Sequence, residues 1–105
     1  MKLYLDDIRP APKGWALCRW PEEVIELIEQ GEVEEISLDH DLGDSCVGGY
    51  GVSERTGMDV LTWLKNKILE NKNFVIPRVN IHTGNIIAEK RMYSLLKDIQ
   101  KIKER

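Results

Sequence analysis

The chain has 105 residues, 42% hydrophobic and 31% charged, which is enough apolar content for one packed core and too little length for two. No apolar run approaches the roughly 18 residues of a membrane helix. Cys18 and Cys46 form neither a metal-type spacing nor a disulfide framework, so membrane and disulfide-rich secreted classes fall away and a single cytoplasmic domain spanning 1–105 is expected.

In chain order, Lys2-Leu3-Tyr4-Leu5 reads as a short buried strand that stops abruptly at Asp6-Asp7. Pro10, Pro12 and Gly14 preclude a regular helix in the following connection. Trp15 to Trp20 has strand character. Pro21 then suits the first turn of a helix, with Glu22 and Glu23 at its positive end and Val24, Leu27 and Ile28 along one face. Gly31 is placed to end that helix in a left-handed cap.

Glu35-Ile36-Ser37-Leu38 is the next strand, and it runs into Asp39-His40-Asp41. The stretch from Asp44 to Arg55, with three glycines around Tyr50, has neither helical nor strand period and reads as a loop. Thr56 and Asp59 have the spacing of a capping box, and Met58, Leu61, Leu64 and Ile68 continue a helical stripe to about Asn71. Val79-Asn80-Ile81 gives a fourth strand ending at His82-Thr83. Met92, Leu95, Leu96, Ile99 and Ile102 mark a final, lysine-rich helix.

Strands that alternate with helices imply an open, mostly parallel α/β sheet, and such sheets bind ligands at the carboxyl ends of their strands. Asp6-Asp7, Asp39-His40-Asp41 and His82-Thr83 all fall at those ends and are expected to converge. Asp6, Asp7 and Asp39 would supply hard oxygen ligands suited to Mg²⁺ or Mn²⁺. Asp41 either joins them or caps its turn. His40 and His82 can serve as general acid or base, as metal ligands or as hydrogen-bond donors to phosphate. Thr83 and Asn85 precede the last helix and can hold an anion there, or Asn85 can act as the cap alone.

Charge is divided along the chain. Residues 1–60 carry 5 Lys/Arg against 14 Asp/Glu, whereas residues 61–105 carry 10 against 4. That division suits a cation in the first half and phosphate in the second, and two solvated surfaces of opposite sign would give the same count. The glycine cluster at Gly48-Gly49-Tyr50-Gly51 lacks the Lys-Ser/Thr of a nucleotide-binding loop.

Leu3-Tyr4-Leu5-Asp6-Asp7 resembles the first strand and acidic pair of response-regulator receiver domains, with Asp39 at the phosphoacceptor position. Thr56-Gly57-Met58-Asp59-Val60-Leu61 and Ile76-Pro77 through Thr83 are similar to the later helix start and fourth strand of the same family. The set LDDIRP, SLDHDLG and HTGN is closer to the divergent group of cyclic-phosphate-processing receiver domains.

The resemblance implies a reduced, flavodoxin-like fold of about four parallel strands in the order 2-1-3-4, flanked by three main helices. It implies a site built from Asp6, Asp7, Asp39, His40, Asp41 and His82, with Thr83 and Asn85 as further members. The activity it points to is metal-dependent hydrolysis of a cyclic phosphate on a small nucleotide or an RNA end. The alternative is a non-enzymatic binding or signalling module, with a protein partner, that keeps the acidic pocket. No lysine follows a fifth strand, so a lasting acyl phosphate on Asp39 is not expected.

Overall fold

A computed structural model describes residues 1–6, 9–39 and 56–104. The loop from Asp44 to Arg55 and the expected site residues Asp7, His40 and Asp41 lie outside the described residues. Among the described residues seven elements follow in order: β1 (Lys2–Leu5), β2 (Ala16–Cys18), α1 (Pro21–Glu29), β3 (Glu35–Leu38), α2 (Gly57–Glu70), β4 (Arg78–Ile81) and α3 (Ile86–Glu104). The four strands are all parallel and lie in the order β2-β1-β3-β4. This is the reduced receiver-like α/β arrangement implied by the sequence.

The helix boundaries follow local chemistry. Glu23 Oε1 accepts the backbone N–H groups of Arg19 and Trp20 at 3.0 and 3.1 Å, closing the start of α1. The second strand is shorter than the Trp15–Trp20 run because this turn takes its last two residues. Gly31, at φ +86°, follows α1 in the left-handed region, and its N–H donates to the Ile28 carbonyl. At α2, Thr56 Oγ1 accepts from Met58 N–H while Asp59 Oδ2 accepts from Thr56 N–H, both at 3.1 Å, which is the reciprocal cap expected from the spacing.

Right-handed crossovers decide where the helices go. The connections β2–α1–β3 and β3–α2–β4 advance across the sheet in the same direction, so both helices fall on one face. On that face Leu3, Leu5, Ile36 and Leu38 are buried in a single core with Val24, Ile28, Val60, Leu61, Leu64, Met92 and Ile99. The β1–β2 connection runs the opposite way and carries no helix among its described residues. Trp15 at its end packs edge-on against Tyr4 on the second face, at 6.3 Å and 79°. That face carries Lys2, Tyr4, Glu35, Ser37, Arg78 and Asn80, as the alternation of side chains along each strand requires.

The contact that seats α2 on the sheet is a close one. Gly57 N–H donates to the Asp39 carbonyl at 3.0 Å, and a Cβ at Gly57 would overlap that same oxygen and lie 2.9 Å from the terminal methyl of Met92. Methionine can swing away; a carbonyl already holding a hydrogen bond cannot. Helix propensity alone favours alanine over glycine by about 1 kcal/mol. Gly57→Ala is nevertheless expected to destabilise the protein by about 1–3 kcal/mol through overpacking, read from urea unfolding midpoints. A gain in stability would show that α2 can move off the end of β3 at no cost.

Candidate functional site

The strands are in register at Leu5, Cys18, Leu38 and Ile81, so the residues that follow them stand level along the carboxyl edge of the sheet. The ladder continues one step past the strands. Asp6 N–H donates to the Cys18 carbonyl at 3.1 Å, Asp39 N–H to Leu5 at 3.2 Å, and His82 N–H to Leu38 at 2.9 Å. The connections after β1 and after β3 leave in opposite directions across the sheet, which makes the gap between Asp6 and Asp39 the switch point where open α/β sheets bind ligands.

Asp6, Asp39 and His82 meet there. One ligand atom from each lies within 4.8 Å of the other two. Asp6 is 1% exposed and Asp39 8%, so two carboxylates are drawn out of water side by side. Their environment is polar. Asp6 Oδ1 accepts the Arg9 backbone N–H at 2.9 Å, and Asp6 Oδ2 lies 3.0 Å from His82 Nε2. Two carboxylate donors and an imidazole in this span can bind a divalent cation, and the oxygens favour a hard one.

His82 is held from three sides. Its Nδ1 lies 2.6 Å from Ser37 Oγ. Its ring stacks on Tyr4 with centroids 4.2 Å apart and planes 8° from parallel. To reach Asp6 the side chain leaves β4, passes over Ser37 on β3 and arrives at β1. A proton on Nε2 is donated to Asp6, while Nδ1 either accepts the Ser37 hydroxyl proton or donates to Ser37 Oγ, according to the protonation state of the ring. Ser37 and Tyr4 thus fix the rotamer of His82 and the edge it turns to the pocket.

Of the remaining expected residues, Asn85 serves as the cap of α3: its Oδ1 accepts Ala88 N–H at 3.0 Å and its carbonyl accepts Glu89 N–H. Thr83 Oγ1 accepts Asn85 N–H at 3.2 Å, shaping the same turn. Both therefore stand beside the cluster with one polar function already engaged. Ser37 and Tyr4 were not apparent as site residues. Both lie inside strands, and only the alternation that puts residues 4, 6, 37, 39 and 82 on one face of the sheet could have found them. Cys18 is no nucleophile: burial, reinforced by Glu23, pushes its thiol pKa up to about 11.

Ser37→Ala removes the hydroxyl partner of a partly buried imidazole nitrogen. It is expected to lower the unfolding free energy by about 1–2 kcal/mol, measured by chemical denaturation. An unchanged midpoint would show that Asp6 and Tyr4 hold the ring without help.

Residues 1–98 match the family model described as the cyclic-phosphate processing receiver domain. No curated protein and no solved structure matches the chain.

Proposed function

The chain belongs to the cyclic-phosphate processing receiver family, and from that premise we propose that its carboxyl-edge pocket is a metal-assisted phosphoesterase site for a cyclic phosphate on a nucleotide or RNA end. The observation that carries this reading is the convergence of Asp6, Asp39 and His82 at the switch point of the sheet.

Opening a cyclic phosphodiester requires attack by water at phosphorus, relief of the charge on the phosphoryl oxygens, and a proton for the departing oxygen. Asp6 and Asp39, joined by Asp7 and Asp41, are the residues that would hold a divalent cation, Mg²⁺ or Mn²⁺, which supplies charge neutralisation and a more acidic water. His82 turns Nε2 toward the acids, so its proton lies on the pocket side of the ring. As the imidazolium it is the group assigned to protonate the leaving oxygen, which leaves the neutral ring, and the proton given up by the attacking water restores the imidazolium. Ser37 and Tyr4 keep that nitrogen aimed at the pocket. His40 follows Asp39 directly and is assigned to orient the water, while Thr83 is assigned to a phosphate oxygen.

A second reading has its own support. Both nitrogens of His82 are engaged and its ring is stacked, an arrangement that also suits a static pocket in a binding or signalling module. Turnover separates the two. Cyclic mononucleotides and 2′,3′-cyclic RNA ends, assayed with and without Mg²⁺ or Mn²⁺, should give metal-dependent ring opening for at least one substrate. His82→Ala should lose about 10²- to 10⁴-fold in rate while metal binding survives. No turnover of any of these substrates favours the module.

Metal binding is tested separately. A cation that neutralises two adjacent buried carboxylates should raise the thermal midpoint, with about 2.7 kcal/mol of added stability at a hundredfold excess over Kd. Asp39→Asn should abolish that response and the activity together. A midpoint indifferent to millimolar Mg²⁺ and Mn²⁺ would show that the acids do not form a cation site.

A further inference from the structure

β4 lies at the edge of the sheet, and among the described residues no strand pairs with its outer side. The hydrogen bonds of β4 to β3 say which of its backbone groups face outward. Arg78 N–H donates to Glu34 and His82 N–H to Leu38, each at 2.9 Å. Residues 78, 80 and 82 therefore point inward to β3, and both the N–H and C=O of Val79 and Ile81 point to the open edge.

This edge strand carries one charged side chain, Arg78, and no proline within its span. Its outer edge is roofed. A groove of about 300 Å³ runs beside it, lined by Ile76, Pro77 and Val79 from the strand side and by Leu96, Ile99 and Lys103 from α3. We infer that the outer edge of β4 is a docking site for an extended segment of a partner polypeptide in which apolar and acidic residues alternate.

Alternation follows from the two faces. A strand added beside β4 places every second side chain on the face of Val79 and Ile81, under Leu96 and Ile99, where only apolar groups fit. The intervening side chains fall on the face of Arg78 and Asn80. Charge decides what those are. Arg78 is exposed on that face, and no carboxylate among the described residues lines the groove. The acid in register with Arg78, Glu35, is already engaged by Asn80 Nδ2 at 2.7 Å and Lys2 Nζ at 3.9 Å. A second copy of this chain fits poorly, because joining two β4 edges would bring Arg78 and the lysine-rich α3 of both copies together.

The probe is a labelled peptide of about nine residues, long enough for an edge strand, in which valine and glutamate alternate. Its comparators are a peptide of the same composition with valines and glutamates in two blocks, and an alternating valine–lysine peptide. The alternating acidic peptide should bind the full chain with micromolar affinity and slow amide exchange at Val79 and Ile81. Val79→Pro removes one outward N–H and leaves the β3 ladder intact; it should weaken binding by about tenfold or more. Arg78→Glu, which leaves the backbone intact, should weaken it comparably and shift preference to the valine–lysine peptide.

Equal binding of the block peptide, indifference to Arg78→Glu, or no binding at millimolar peptide overturns the inference. So does a dimer in sedimentation that Val79→Pro dissociates, since the edge would then belong to a second copy. Neither Val79 nor Arg78 contributes to the acidic pocket, so the result is independent of whether the chain hydrolyses cyclic phosphates.

Discussion

The backbone ladder of this sheet extends one residue beyond β1, β3 and β4, and the pocket depends on that extension. Asp6, Asp39 and His82 each donate their own N–H to the last strand residue of a neighbour. The backbone therefore fixes three candidate site residues at one height before any side-chain interaction is counted. Two carboxylates confined within 4.8 Å repel by about 3–4 kcal/mol at an effective dielectric near 20 if both are ionised. The His82 ring, the Arg9 N–H and, in the reading proposed above, a cation are the groups positioned to offset that repulsion. A slip of register by one residue would turn every one of these side chains to the helix-covered face.

Much of this was legible in the sequence, for a definite reason. Short apolar runs that end in Asp or His mark both a strand and its carboxyl terminus, so Leu5-Asp6, Leu38-Asp39 and Ile81-His82 located the elements and the pocket together. The strand order needed the family resemblance, since periodicity alone does not choose neighbours. Ser37 and Tyr4 escaped because their roles arise from contacts between strands far apart in sequence. The close approach of Gly57 to the Asp39 carbonyl escaped as well. In the sequence that glycine stands between a cap and a helix, where any small residue would serve.

The one-sided placement of the helices has a chemical side. Because α1, α2 and α3 share a single core, the other face of the sheet is free to carry a connected polar and aromatic layer. Lys2 lies 5.7 Å from the centroid of the Trp15 ring, Trp15 meets Tyr4 edge-on, and Tyr4 stacks on His82. A helix packed there would demand apolar residues at these positions and would bury the route by which His82 crosses the sheet. The histidine can span three strands because no helix among the described residues packs on that face.

That span has a temporal meaning. Asp6 and His82 are 76 positions apart, and β1 and β4 touch only through β3. On a ribosome that releases about 5–20 residues per second, Asp6 and Asp39 emerge and can pair their strands seconds before His82 leaves the exit tunnel. For that interval the nascent chain holds both acids without the imidazole that later bonds to one of them. The acidic edge of the sheet is thus synthesised before the residue that completes the pocket.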